Sequence, residues 1–318
     1  MKTSELKTRT LGLFGLILGM SLLLCRVGDA EAQTLRVLVA NDDGIGATGT
    51  NGGIDVLVDE LRSNPNLIVR VVAPDVNKSG SGDSKTEPPN TITVTPGSTA
   101  GTATEPDDKA VDGFPADCVL YGVLGLGFAP DLVVTGINGG QNLGREIGAS
   151  ISGTVGAALT AGRMGIPAIA VSQQRNGTDY TAAAKYVANL VETFRTKKSF
   201  AKKLVNKNGL GQAAILNVNV PTCTTGSIRG VALVPLAQLL TFTGYVEQVT
   251  PGVFLPTWIN NGAAAIIGEA DCTSTVEDPT NDLDAFLNGY ISLTVLNPDK
   301  TVDNKLKRFK SLTKVPFQ

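Results

Sequence analysis

The 318-residue sequence predicts an α/β fold built on a mostly parallel sheet flanked by helices. Short, nearly unbroken β-type runs recur along the chain, as strands buried on both faces require. Segments of helical spacing fall between them, the alternation from which parallel strands are connected. With 42% hydrophobic and 18% charged residues there is enough apolar material for a sizeable core.

The elements follow in order. Leu35 to Ala40 (LRVLVA) is the first strand, and Ile54 to Arg62 has the spacing of a helix. Leu67 to Ala73 is the second strand and ends at Pro74-Asp75. Gly80 to Asp108 is rich in Gly, Ser, Thr and Pro and reads as a surface excursion with one strand, Thr91 to Thr95. DCVLYGVLGLG, starting at Asp117, reads as a buried helix that packs Cys118 in the core. Asp131 to Thr135 and Ala168 to Val171 are further strands; Ser152 to Met164 and the amphipathic Thr178 to Thr196 are helices. Between Leu239 and Asp271, Thr241-Phe242-Thr243, Val253-Phe254-Leu255 and Ala264 to Ile266 alternate with turn residues. They read as extended hairpins outside the main sheet. The basic segment Thr301 to Gln318 reads as a short helix or tail, and no internal repeat is present.

Residues 1–32 stand apart. Lys2, Lys7 and Arg9 precede an apolar run from Leu11 to Leu24, and Ala30-Glu31-Ala32 fits a cleavage site before Gln33. The run is short for a membrane span. Leu24 is too bulky to precede a lipidated Cys25. The expectation is an exported protein, periplasmic or secreted, with no stable membrane anchor. Its main domain spans 33–300 and a tail spans 301–318. Of the remaining cysteines, Cys223 and Cys272 lie in polar, loop-like sequence and are the pair open to a disulfide.

Composition also excludes. A formal charge of −2 argues against nucleic-acid partners. The chain has no histidine, which removes a Ser-His-Asp triad, a phosphohistidine route and any His-containing zinc site. Chemistry must come from carboxylates, hydroxyls, amides, Lys, Arg or a metal held by oxygen.

In open parallel sheets, ligands bind beyond the carboxyl ends of the strands. Asn41-Asp42-Asp43-Gly44 follows the first strand, and Pro74-Asp75-Val76-Asn77-Lys78-Ser79-Gly80 the second. Thr135-Gly136-Ile137-Asn138-Gly139-Gly140-Gln141-Asn142-Leu143-Gly144 follows a later one, and Ser152-Gly153-Thr154 opens a helix. Each alone reads as a polar turn or a helix cap. Together they place two carboxylates, amides and hydroxyls at one sheet edge. That inventory suits Mg²⁺ or Mn²⁺, while the free N–H groups of a helix start suit a phosphate. A dinucleotide fingerprint and a Gly-Lys-Ser/Thr phosphate loop are both missing. Metal with phosphate points to phosphoryl chemistry.

These motifs resemble the SurE family of 5′/3′-nucleotidases, or survival-protein phosphatases: NDDG, APDxNxSG, TGINGGxNLG and SGTVGAA, with PADCVLYG and GYISLTVL beside them. The resemblance covers roughly Leu35 to Leu296. It implies a Rossmann-like core, an extended β-hairpin, and a C-terminal segment exchanged between subunits of a homodimer or homotetramer. It implies one divalent cation per subunit on Asp42, Asp43, Ser79 and Asn138, with Asp42 and Asp43 the catalytic carboxylates. Ser81 is the nearby alternative to Ser79. Asn142, Ser152, Gly153 and Thr154 match the substrate pocket, and Asn41 is placed with them as a residue that orients its neighbours more than a direct ligand. Lys78 could attract the anion or be an ordinary solvated lysine. The activity implied is hydrolysis of nucleoside monophosphates to nucleoside and phosphate. A broad acid phosphatase or polyphosphatase, and a non-catalytic exported binding protein, are the alternatives. Three departures from the family bear on specificity: the longer Ala47 to Gly53 loop, the missing histidines, and Ile151 in place of a tyrosine.

Overall fold

Leu35–Ala40 forms strand β1, and its alternation divides the core. Val37 and Val39 pack into one layer, Leu38 and Ala40 into the other, and all four are fully buried. A strand apolar on both faces must lie inside a covered sheet. The computed structural model describes residues 34–317, without 50–51, 100–104, 176, 206–210, 239–241, 249, 253, 259–268 and 304–305. Residues 1–32, with their expected export signal, lie outside the described residues.

After β1 come α1 (Gly53–Arg62), β2 (Leu67–Pro74), β3 (Thr93–Pro96), β4 (Lys109–Asp112) and α2 (Pro115–Leu120). β5 (Leu132–Gly139), α3 (Gly153–Arg163), β6 (Ala168–Gln173), α4 (Thr181–Thr196) and α5 (Lys198–Leu204) follow. β7 (Ile215–Val220), β8 (Gly230–Leu233), β9 (Phe242–Glu247), β10 (Phe254–Trp258) and β11 (Tyr290–Leu296) complete the strands among the described residues. One sheet runs in the order β3-β4-β2-β1-β5-β6-β7-β11-β8. The pairs β3–β4 and β7–β11 are antiparallel and the rest parallel. Helices α1 and α4 cover one face, with Leu57, Leu61, Tyr186 and Leu190 in its core. Helices α2 and α3 cover the other, with Cys118, Val119 and Leu159.

Chain order reverses at β1, which has β2 on one side and β5 on the other. Their carboxyl ends therefore open a crevice at the middle of the sheet, where α/β folds bind ligands.

Several expectations change in detail. The excursion Gly80 to Asp108 returns to the sheet, because β3 pairs with β4 and β4 extends β2. The fully buried Asp108 secures that return: it holds Arg62 Nη2 at 2.7 and 2.9 Å and accepts the Val71 N–H at 3.0 Å. Strands β7 and β8 carried no clear sequence signal. In β7, Asn217 and Asn219 interrupt the apolar run, although both side chains are buried. The β9–β10 pair is the expected hairpin, antiparallel and separate from the main sheet. Thr241, Val253 and Ala264 to Ile266 lie outside the described residues. The basic segment 301–318 is a short helix that packs on the body of the protein: Leu306–Lys314 forms a 3-10 helix and buries Phe309 and Leu312 in the α1/α4 core. Cys223 and Cys272 form a disulfide with Cα atoms 5.7 Å apart, and Cys118 is a buried thiol.

Candidate functional site

A cleft of ≈ 360 Å³ opens where β1, β2 and β5 end. Asp42 and Asp43 form its floor, Asn77 and Ser79 one side, Asn138 and Asn142 the other, and Ser152 its back. The three loops and the α3 start thus meet as the four sequence clusters suggested.

Each floor carboxylate is held by neighbours. Asp42 Oδ1 accepts the Thr154 hydroxyl at 2.6 Å, and the Asp42 carbonyl accepts the Lys78 N–H at 2.7 Å. Asp43 Oδ2 accepts the Gly139 N–H at 3.2 Å, and Oδ1 the Asn77 amide at 3.3 Å. Asn41 closes the turn below by exchanging side-chain bonds with the Gly44 backbone, at 2.9 and 3.3 Å. Electrostatically the pair is under load. Burial pushes the Asp42 carboxyl above its ordinary value, against the Thr154 hydrogen bond. Burial, and then the charge of Asp42, push Asp43 up to about 7, with the Gly139 N–H and Arg175 pulling the other way.

Two glycines make the geometry possible. Gly136 takes φ +121, where β5 shifts register between Thr135 and Asn138, and a Cβ there would run into Val171 O. That shift delivers Asn138 to the crevice. At Gly153 a Cβ would come within 2.8 Å of Asp42 Cβ, so only glycine lets the α3 start sit against the acidic pair.

The expected residues are distributed as follows. Asp42, Asp43, Ser79, Asn138, Asn142 and Ser152 line the cleft. Ser152 also caps α3, its hydroxyl accepting the Val155 N–H at 3.1 Å. Gly153 packs behind Asp42 rather than lining the opening. Thr154 is fully buried with its hydroxyl on Asp42, so it orients a carboxylate instead of meeting substrate. Asn41 is likewise spent within its own turn. Lys78 pairs with Asp112 at 3.5 Å and is not part of the cleft wall. Ser81, the alternative to Ser79, buries a hydroxyl with no hydrogen-bond partner among the described residues. A Cβ on Gly153 would lie 2.9 Å from both that oxygen and Asp42 Oδ2.

Sequence reading missed Asn77, Gln141 and Arg175 on the cleft wall, and the amides behind it. The Asn142 N–H donates to Asn219 Oδ1 at 2.6 Å, and the Asn142 carbonyl accepts from Asn217 at 2.9 Å and Asn219 at 3.2 Å. Asn142 Nδ2 donates to Ser172 Oγ at 2.8 Å, and Gly144 N to Asp282 Oδ2 at 2.8 Å. The available signal was the spacing of two asparagines in Asn217-Val218-Asn219, both on one face of a strand.

The donor set fits a hard divalent cation. Two adjacent buried carboxylates are disfavoured as anions in the protein alone, and amide and hydroxyl oxygens share their cleft. Asn138 donates its amide N–H to Gly140 O, which leaves Oδ1 as its acceptor end. Among the described residues no three His, Cys, Asp or Glu side chains gather, so soft thiolate or imidazole ligation has no basis.

A central crevice lined by oxygen donors, with a helix start at its back, defines an α/β protein of the phosphate- and metal-handling kind. The family model described as survival protein SurE matches residues 37–241, and the chain belongs to that family. It is 35% identical over 282 residues to the 5'-nucleotidase SurE of Geotalea uraniireducens (strain Rf4), covering 87% of this chain and 98% of that one. With the 5'-nucleotidase SurE of Syntrophotalea carbinolica it shares 36% identity over 270 residues, 84% and 93% of the two chains. The crystal structure of the SurE protein from Aquifex aeolicus superposes with a TM-score of 0.58 at 29% identity, covering 87% of this chain and 97% of that one.

Proposed function

We propose that the chain is a divalent-metal-dependent nucleotidase that hydrolyses nucleoside monophosphates to nucleoside and phosphate. The observation that carries this is the meeting of Asp42 and Asp43 with the start of α3 in one cleft. The relatives named 5'-nucleotidase SurE support the 5′ ester as substrate. The resemblance to the 5′/3′-nucleotidase family extends the proposal to the 3′ ester.

Asp42, Asp43, Ser79 and Asn138 would hold one Mg²⁺ or Mn²⁺. A bound divalent cation there supplies Lewis acidity toward a phosphoryl oxygen and a lowered pKa for water. Thr154 and Asn77 fix the two carboxylates in register for that task. The backbone N–H groups of Gly153 and Thr154, at the positive end of the α3 dipole, favour the charged form of Asp42 and so ready it for a cation. Asn142, clamped by Asn217 and Asn219, forms the wall beside Asn138. Export is part of the proposal and is supported by the Cys223–Cys272 disulfide. So is assembly as a homodimer or homotetramer, which sedimentation of the purified chain tests.

Phosphate release from 5′- and 3′-mononucleotides, p-nitrophenyl phosphate and polyphosphate, with Mg²⁺, Mn²⁺ or EDTA, is the decisive experiment. Metal-dependent release from mononucleotides is expected. No release with either metal would refute the enzyme.

A further inference from the structure

We propose that Arg175 is a substrate-contacting residue that binds the phosphoryl group of the monoester from the part of the cleft wall beside Gly140 and Asn138. The proposal rests on the nucleotidase reading above and names a residue outside the family motifs.

Among the described residues lining the cleft, Arg175 alone carries a formal positive charge. Its position follows from the Gly140 backbone: a Cβ there would lie 3.7 Å from Arg175 Nη2 and 3.7 Å from Asn138 Nδ2. The guanidinium therefore hangs over Gly140 beside Asn138, facing the acidic floor. It makes no ion pair among the described residues, so its five donors are not committed to a protein carboxylate. Lys78, the other cation near the cleft, is turned to Asp112.

The backbone that carries Arg175 is fastened from three sides. Its N–H donates to Gln141 Oε1 at 3.0 Å, next to the Asn142 clamp. The preceding Gln174 donates its N–H to Val220 O at 3.0 Å. Gln174 Oε1 accepts the N–H groups of Thr222 at 3.1 Å and Ala270 at 3.4 Å, which adjoin the disulfide. A long side chain on a fixed base can reach the cleft at low entropic cost.

Charge arithmetic gives it a task. Two ionised aspartates and one divalent cation sum to zero, so a phosphomonoester dianion leaves the cleft strongly negative. The α3 dipole offsets roughly half a unit charge. A guanidinium adds a full unit in a planar fork that matches two phosphoryl oxygens. In a chain without histidine, this is the cation that the described cleft residues supply to stabilise charge on the phosphoryl group.

The test uses the full chain as wild type, Arg175→Ala, Arg175→Gln and Arg175→Lys. Inorganic phosphate binding to the Mn²⁺-loaded protein is measured by calorimetry, alongside kcat/KM for a mononucleotide and Mn²⁺ affinity. Arg175→Ala and Arg175→Gln should lose about 10²-fold in kcat/KM. They should weaken phosphate at least tenfold, with Mn²⁺ affinity and the thermal midpoint unchanged. Arg175→Lys should recover part of both losses. Unaltered phosphate binding in Arg175→Ala overturns the proposal. So does a parallel loss of Mn²⁺ affinity, which would make Arg175 a support of the metal wall. If the wild type releases no phosphate from any nucleotide, the nucleotidase reading fails, and the calorimetric arm still decides Arg175.

Discussion

In the protein alone, Asp42 and Asp43 share a buried corner, and burial raises the cost of ionising both. The folded chain holds a proton on Asp43 up to about pH 7, whereas an ordinary carboxyl loses it near 3.8. Between those values the folded state binds more protons than the unfolded one, so metal-free stability falls as pH rises across that window. Asp42 acts in the same direction. The Asp43→Asn variant, melted in EDTA at pH 5 and pH 8, should show a flatter decline than wild type. It should also lose the stabilisation by Mn²⁺ and the metal-dependent turnover. An undiminished slope would show that Asp43 is not the strained group. The acidic pair was legible in the sequence because adjacent like charges at the tip of an apolar strand need a reason. The hydroxyl of Thr154 on Asp42 was not, because SGT reads equally as a helix cap, and that bond depends on the loop after β1 meeting the start of α3. Arg175 sits in QQRNG, a stretch with neither motif nor periodicity.

At the scale of elements, the segment from Gly139 to Gly144 is held largely by side chains from other parts of the chain. Asp43 takes one end, Ser172, Asn217 and Asn219 the middle, and Asp282 the other end. A loop so fastened presents Asn138 and Asn142 in a fixed attitude without regular structure of its own. Asn219→Leu removes one acceptor and one donor from Asn142 and leaves its buried N–H unmet, at a cost of about 1–3 kcal/mol. Urea denaturation should read that loss. Turnover should fall further than stability alone explains, since the loop also grips Asp43. The first two strands and the large helices were plain from apolar periodicity, and their bounds moved by only a few residues. Strand β7 was obscured by the asparagines that make it useful, because an amide facing a buried loop looks, in sequence, like a residue facing water. The β3–β4 edge was hidden in a Gly- and Pro-rich stretch, since its pairing comes from residues far apart in the chain.

For the whole molecule, the Cys223–Cys272 bond spans 49 residues, across β8 and the β9–β10 hairpin. Closing a loop of that length stabilises by about 4 kcal/mol in the chain-entropy account. Cys223→Ser with Cys272→Ser should lower the midpoint of thermal melting. Dithiothreitol should do the same to wild type and leave the double variant unmoved. The central place of β1 has a further consequence. Its amides pair with β2 on one side and β5 on the other, inside both cores, so they exchange with solvent only when the sheet as a whole opens. A ligand at a hundred times its Kd adds about 2.7 kcal/mol to global stability. Mn²⁺ should therefore slow deuterium uptake at Val37 to Ala40 about 100-fold. Uptake at the exposed edge strand β3, which opens locally, should barely change. The most deeply shielded amides of the sheet become a gauge of cleft occupancy, readable by mass spectrometry with no substrate present.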